Sequence, residues 1–220
     1  MINIQKPIIV FDSGKGGTTI YNPLKQLLPN EHIIYIDDHA NFPYGNKSAT
    51  WLSARFIEFA KEWEALNPKL IVLACNTATV NVISLLRSKL NCPAVGVEPV
   101  IKPLAPYNPA LVLMTSAAAK SATTKKLLAQ YGPHIQVYSP PSLAEAIEFN
   151  NTEQVKKSLN MIKELVHKHQ IKAIGLSCTH YPLIINEFKQ AMPNIIIIDP
   201  SLAVARQVVR VLRSIEHADI

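Results

Sequence analysis

Cysteine is scarce in this sequence, which has only three among 220 residues, at positions 75, 92 and 178. An odd number without closely spaced pairs argues against a disulfide framework and against a zinc knuckle. Free thiols persist in a reducing compartment, so a cytoplasmic location is expected. The role of each thiol therefore has to be inferred from the residues around it.

Long apolar runs are also missing, since none approaches the roughly 20 residues that span a bilayer. The first residues lack a basic segment followed by a long apolar one, so no signal peptide is expected. The formal net charge of +6 is small, and no aromatic-basic motif accompanies it. A solvated helix face explains the lysines at 120, 125 and 126. The sequence therefore predicts neither a membrane protein nor a nucleic-acid-binding protein.

Nucleotide-binding motifs are absent as well, although a glycine-rich loop, SGKGG at residues 13–17, follows the first predicted strand. The loop lacks the glycine spacing of a dinucleotide fingerprint, and no Gly-Lys-Ser/Thr ends it as in a P-loop. Its glycines instead permit a tight turn and a close approach of the backbone to a ligand.

The predicted strands and helices alternate along the chain, which indicates parallel α/β sheets. Three pairs of residues in or beside predicted strands are separated by the same 103 positions: Cys75 and Cys178, Asp12 and Thr115, and Tyr35 and Tyr138. Chance similarity of apolar strands is the alternative explanation, but the constant offset favours a duplication.

We therefore predict an α/β fold of two similar lobes, each a parallel sheet flanked by helices, with the active-site cleft between them. The first lobe is expected to comprise residues 1–97 plus a C-terminal helix at 201–220, and the second residues 98–200. Open α/β sheets bind ligands at the carboxyl ends of their strands, so the residues that follow the strands are the candidate site.

Two cysteines occupy equivalent positions in these halves. Cys75 follows the apolar strand 70–74, and Cys178 follows the strand 173–177. Asn76 and Thr77, the two residues after Cys75, are expected to cap the helix that follows. One thiol on each wall of a cleft suits a reaction that removes a proton from one face of a carbon and adds one to the other. Asp12 and His180 are plausible partners of Cys75 and Cys178, respectively. A buried cysteine is commonly inert, and we interpret Cys92 in that way.

The sequence also contains five short motifs in a characteristic order: FDSG at 11–14 with two further glycines at 16 and 17, PYG at 43–45 with Ser48, ACNTA at 74–78, GVEP at 96–99, and CTHYPL at 178–183. With these motifs the chain resembles the glutamate racemases of the cofactor-independent aspartate/glutamate racemase superfamily over nearly its full length. The resemblance implies racemisation of glutamate by two bases, without cofactor or metal. It also implies that D-glutamate is made for peptidoglycan.

The resemblance assigns roles to particular residues. Cys75 and Cys178 would be the acid/base pair, assisted by Asp12 and His180. The implied substrate-binding set is Asp12, Ser13, Pro43, Tyr44, Gly45, Asn76, Thr77, Thr179 and His180. Within it, the loop around Tyr44 and Gly45 would receive the side-chain carboxylate, and Glu148 would be an accessory group.

Several positions depart from the family pattern. Ala118 stands where a substrate-binding threonine is usual, Ser139 precedes Pro140 in place of a cysteine, and Ser177 replaces a glycine. The segment after Glu148 is also shorter than in the family. These changes bear on the substrate contacts of the second lobe, and therefore on specificity and rate.

Two alternatives follow from these departures. An aspartate racemase, or another racemase of the superfamily, would carry the same cysteine pair. A regulatory or binding protein with little turnover would keep the fold, and some glutamate racemases are reported to restrain DNA gyrase. The family also includes homodimers, so a homodimer is compatible with the resemblance.

Overall fold

The protein, represented by a computed structural model that describes residues 6–218, has two lobes, each built on a four-stranded parallel sheet. The strands of the first sheet are β1 (Ile8–Asp12), β2 (Ile33–Asp37), β3 (Leu70–Leu73) and β4 (Ala94–Gly96), in the order β2-β1-β3-β4. Those of the second are β5 (Ala110–Met114), β6 (Ile135–Tyr138), β7 (Ala173–Ser177) and β8 (Ile196–Ile198), in the order β6-β5-β7-β8. The two orders are equivalent, and the predicted fold class of two similar α/β lobes is confirmed.

Helices cover both sheets. The first lobe contains α1 (Thr18–Leu27), α2 (Ala49–Glu64) and α3 (Asn76–Arg87). The second contains α4 (Ile101–Leu104), α5 (Ser116–Lys120), α6 (Ala122–Tyr131), α7 (Leu143–Glu148), α8 (Thr152–Lys168) and α9 (Ile185–Ala191), and α10 (Ser201–Ala218) follows the last strand. Short 3-10 turns occupy Lys15–Gly17, His39–Asn41, Tyr44–Asn46 and Tyr181–Ile184.

The central strands β1, β3, β5 and β7 are buried along their whole length. Their nearly continuous apolar sequences explain this, because strands covered by helices on both faces cannot alternate apolar and polar residues. Parallel pairing aligns β1 with β3, with Phe11 beside Leu73, and aligns β5 with β7, with Met114 beside Ser177. The residues that follow these strands therefore emerge side by side at one edge of each sheet.

The C-terminal helix α10 packs on the first lobe. Its apolar residues Val204, Ala205, Val208 and Leu212 share a core with β1, β3 and α1. We therefore propose the division into residues 1–97 with 201–220, and residues 98–200, which this packing supports. No helix among residues 6–218 combines the length and apolar character that crossing a membrane requires.

Candidate active site

The carboxyl ends of the central strands face each other across a small cavity of about 20 Å³, which has room for roughly one water molecule. Both Cys75 and Cys178 line it. The other predicted residues in its wall are Ser13, Pro43, Tyr44, Gly45, Asn76, Thr77, Thr179 and His180. Asp12 and Glu148 lie one contact behind the wall, bonded to Thr179 and His180, respectively. All the predicted residues thus converge on one place between the lobes.

Cys75 occupies the N-cap position of α3, so the helix begins earlier than the sequence indicated. Asn76 and Thr77, which we expected to cap the helix, lie in its first turn and direct their side chains elsewhere. The Asn76 amide donates to the carbonyl oxygen of Val97 at 3.3 Å. Its own oxygen Oδ1 is buried without a hydrogen-bond partner among the described residues. A buried acceptor of this kind favours a ligand that brings a donor.

Burial dominates the acidity of both thiols. It raises the pKa of Cys75 to about 12, and the nearby charge of Asp12 acts in the same direction. The backbone N–H groups of Ala78 and Thr77 at the start of α3 act in the opposite direction. Burial likewise raises the pKa of Cys178, against the hydrogen bond from the backbone N–H of His180. Both groups are therefore neutral thiols at neutral pH in this closed state.

Asp12 is completely buried beneath the cavity. Its carboxylate accepts hydrogen bonds from the backbone N–H of Gly14 and from the Thr179 hydroxyl, both at 2.9 Å. Burial raises its pKa, while the nearby His180 lowers it. Asp12 thus bonds a residue of the second lobe, while Ser13 Oγ lies 3.8 Å from the Cys75 sulfur.

Glu148 connects the second thiol's surroundings to the first lobe. Its carboxylate lies 2.6 Å from His180 Nε2 and 3.1 Å from His39 Nδ1, and it accepts from the backbone N–H of Lys15 at 3.0 and 3.2 Å. Burial alone would raise the pKa of Glu148, but the hydrogen bond to His180, with that of Lys15, lowers it below its usual value. The ring of His180 thus bonds Glu148, whereas its backbone N–H donates to Cys178.

Glycines make this contact between the lobes possible. A Cβ atom at Gly16 would lie 2.5 Å from His180 Nδ1, and one at Gly14 would lie 2.9 Å from Glu148 Oε2. A Cβ at Gly45 would lie 2.9 Å from the Cβ of Thr115. Real Cβ atoms do not approach other atoms so closely, so a side chain at Gly16 or Gly45 would push the lobes apart, and one at Gly14 would displace the Glu148 carboxylate.

The loop that carries Pro43, Tyr44 and Gly45 is held by Asp38. The Asp38 carboxylate accepts from the Tyr44 hydroxyl at 2.6 Å and from Arg55 at 3.1 and 3.2 Å. Burial would raise the pKa of Asp38, but the hydrogen bonds from Arg55 and Tyr44 lower it. Tyr44 is 1% exposed, so its ring is fixed at the cavity by both packing and hydrogen bonding.

A family model for Asp/Glu/Hydantoin racemases matches residues 13–208. The chain belongs to the Asp/Glu/Hydantoin racemase family. Glutamate racemase of Ectopseudomonas mendocina is 35% identical over 217 residues, with 94% of this chain and 82% of that protein covered. The predicted resemblance to glutamate racemases is thereby confirmed, and so is the prediction of an enzyme of the amino-acid racemase class.

Solved racemase structures share the two-lobed fold. Glutamate racemase of Francisella tularensis in complex with D-glutamate superimposes with a TM-score of 0.83 at 30% identity, covering 96% of this chain and 82% of that one. The Escherichia coli enzyme in complex with L-glutamate and the activator UDP-MurNAc-Ala gives a TM-score of 0.78 at 31% identity, covering 95% and 83%.

Three residues in the cavity wall of this racemase were not predicted: Phe42, Thr115 and Ala144. Thr115 Oγ1 lies 2.7 Å from Thr77 Oγ1, so the two hydroxyls join the lobes at the cavity. The 103-residue offset pairs Thr115 with Asp12, and that signal could have identified it. Phe42 adjoins the PYG motif, whereas nothing in the local sequence distinguishes Ala144.

Two of the family departures, Ala118 and Ser177, have defined structural surroundings. Ala118 is completely buried in an apolar cluster beneath the second sheet, and its backbone N–H donates to Thr115 Oγ1 at 3.3 Å. Ser177 Oγ accepts from the backbone N–H of Val100 at 3.0 Å, which ties β7 to the connection between the lobes.

No group of three or more potential metal-binding side chains is arranged for an ion within residues 6–218.

Proposed function

We propose that this racemase interconverts L- and D-glutamate by transferring protons between the α-carbon and two thiols, Cys75 and Cys178. The observation that carries the proposal is that these two thiols line the same closed cavity from opposite lobes. Relatives named glutamate racemase cover most of the chain, and structures of such enzymes hold D-glutamate or L-glutamate.

The reaction needs one thiolate and one thiol. The thiolate removes the α-proton from one face, which leaves a carbanion, and the opposite thiol donates its proton to the other face. Both thiols are neutral while the site is closed, so deprotonation of one has to accompany substrate binding. The positive substrate ammonium favours a nearby thiolate, because an opposite charge stabilises the charged form.

Asp12 and His180 are proposed to assist the two sides. Asp12 is close enough to raise the pKa of Cys75, so a thiolate formed beside it is a stronger base. His180 donates its backbone N–H towards Cys178 and is oriented by Glu148. Glu148 is thus an accessory group that positions His180 rather than one that touches the substrate.

The substrate ammonium is proposed to lie against Asn76 Oδ1, which is buried without a partner among the described residues. Hydroxyl groups of Ser13, Thr77 and Thr179 surround the same space and suit the ammonium and the α-carboxylate. Thr115 adds a hydroxyl beside Thr77. Ala118, which stands where the family has a threonine, contributes no hydroxyl.

The side-chain carboxylate is proposed to bind the loop around Pro43, Tyr44 and Gly45. The backbone N–H groups of such a loop can bind a carboxylate, and the bond from Tyr44 to Asp38 keeps the loop in place. A cavity of about 20 Å³ is too small for glutamate, so the lobes or this loop must open for binding.

A substrate panel tests the proposal directly. Circular dichroism should show L- and D-glutamate converging to a racemic mixture with purified protein and no added cofactor. Preferential conversion of aspartate would instead support the aspartate racemase alternative. Absence of turnover with every amino acid would support the regulatory alternative, including a modulator of DNA gyrase.

Separate cysteine variants test the two-thiol mechanism. In Cys75→Ser and in Cys178→Ser, racemisation should collapse in both directions, because each lacks one proton carrier. β-Chloroglutamate loses chloride once its α-proton is removed, so each variant should eliminate chloride from one enantiomer only, with opposite preferences. Cys92→Ser is the matched control and should racemise normally. Elimination from the same enantiomer by both variants would contradict thiols on opposite faces.

We also propose that the product D-glutamate supplies peptidoglycan synthesis and that the enzyme works in the cytoplasm, where its free cysteines stay reduced. Expression of the chain in a bacterial strain that requires external D-glutamate should restore growth without it. The Cys75→Ser variant, expressed equally, should fail to do so. Growth restored by that variant would show that the biological role does not depend on racemisation.

A further inference from the structure

Lys15 crosses the boundary between the lobes. Its ammonium group donates to the carbonyl oxygen of Glu148 at 2.7 Å and to Asn150 Oδ1 at 2.9 Å. Its backbone N–H donates to both carboxylate oxygens of Glu148, at 3.0 and 3.2 Å. A single residue of the first lobe therefore binds both the main chain and the side chain of Glu148.

The turn that Lys15 binds lies between α7 and α8. Asn150 has a φ of 55° there, in the left-handed region that asparagine tolerates better than most residues. Phe149 is 65% exposed, and its ring meets the rings of Phe42 and His39 edge-on, with centroids 6.1 Å apart in both pairs. The hydrogen bonds of the Lys15 ammonium act together with these ring contacts to fix the turn against the first lobe.

The position of the turn reaches the cavity through two contacts. Glu148 bonds the His180 ring at 2.6 Å, and His180 is 2% exposed and close to Cys178 in sequence and space. The Glu148 carboxylate packs directly against Gly14, and a side chain at position 14 would collide with it. A displacement of the turn would therefore move Glu148 and with it His180.

We propose that Lys15 is a positioning residue for proton transfer at Cys178, acting through Glu148 on His180. The proposal rests on the proposed racemase mechanism, in which His180 serves the Cys178 side. Lys15 does not touch the reacting atoms. Its role is to hold the turn of the second lobe at the distance that orients His180.

The decisive variant is Lys15→Met, which removes the ammonium group and keeps the aliphatic chain and the backbone N–H. We expect kcat for glutamate to fall about tenfold or more, because displacements of about 1 Å can cost a hundredfold in rate. KM should change little, because Lys15 lies outside the cavity wall. Lys15→Arg should restore most of kcat, since it keeps a cation with several donors.

Two further variants complete the design. Asn150→Gly keeps the left-handed turn and removes one acceptor of Lys15, so its effect should not add to that of Lys15→Met in the double variant. Lys126→Met removes an exposed lysine of α6 that does not line the cavity and should leave kcat unchanged. Additive effects of Lys15→Met and Asn150→Gly would contradict the proposal that Lys15 holds the turn through Asn150.

Elimination from β-chloroglutamate distinguishes positioning from general loosening. Lys15→Met should slow elimination chiefly for the enantiomer that depends on Cys178, as identified with the Cys75→Ser variant. Equal slowing for both enantiomers, or an increase in kcat from faster opening, would overturn the proposal.

Failure of the proposed function would have a different signature. If the wild type racemises glutamate and Lys15→Met keeps its kcat, the function stands and the positioning role is refuted. If the wild type racemises another amino acid, the same comparison is made with that substrate, and a selective loss of kcat still supports Lys15. Unchanged amide hydrogen exchange of residues 149–151 in Lys15→Met would refute the role of Lys15 in holding the turn, whatever the substrate.

Discussion

Gly16→Ala should separate activity from stability, because its added methyl group would meet the active site rather than the core. The new Cβ would lie 2.5 Å from His180 Nδ1 and 2.8 Å from Thr179 Oγ1. Contacts become ordinary only beyond about 3.4 Å, so the glycine loop and the second lobe must separate by about 0.9 Å at this point. The buried His180 ring cannot give way, since Glu148 holds it at 2.6 Å.

Two opposing terms set the stability change. Overpacking costs about 1–3 kcal/mol, whereas replacing glycine by alanine reduces the entropy of the unfolded chain and contributes about 0.4–1 kcal/mol. Gly16 does not have a positive φ, so the alanine backbone is not strained. The net loss should therefore be about 2 kcal/mol or less, while kcat/KM should fall about a hundredfold, because catalysis depends on sub-ångström placement.

Circular dichroism supplies both measurements, as the rate of glutamate racemisation and as the unfolding curve in urea. Gly132→Ala is the matched control, since its Cβ would meet Ile135 Cδ1, the far end of a flexible side chain. That variant should lose no more stability than Gly16→Ala and should keep its activity. If Gly16→Ala retains kcat/KM within about threefold while remaining folded, the close contact between the lobes is not needed for catalysis.

The pKa shifts support two more predictions. Alkylation of Cys75 by iodoacetamide, followed by mass spectrometry of its peptide, should accelerate about tenfold per pH unit between roughly pH 7 and 9, because only the thiolate reacts and its pKa is raised to about 12; a plateau in that range would contradict a neutral thiol in the free enzyme. Glu148→Gln should unfold at lower temperature than the wild type at neutral pH, and the difference should narrow as the pH falls below about 4.5. The sign follows because a lowered carboxyl pKa adds stability that is present above the ordinary pKa and is lost as the pH falls through the folded value; a difference that widens in acid would refute it.

Much of the fold was predictable because it depends on local pattern. Apolar runs such as residues 70–74 are typical of strands covered on both faces, and the 103-residue offset indicated the second sheet. Local capping was also predictable at Ser48, whose hydroxyl accepts from the backbone N–H of Trp51 at 3.1 Å. The predicted cap of α3 was wrong, because Cys75 occupies the N-cap position and Asn76 lies in the cavity wall.

The sequence by itself determined the two lobes, the alternation of strands and helices within them, and the residue types available at the strand ends. Only the tertiary structure decided which of those residues meet. Two hydrogen bonds join positions far apart in the chain, one between Thr77 and Thr115 and one from Lys15 to Glu148. The burial of Ala118 likewise depends on tertiary packing. Such contacts have no local periodicity, because they arise when two separately folded sheets face each other. The acidity of the thiols belongs to the same level, since burial, a property of the closed cleft, raises both pKa values.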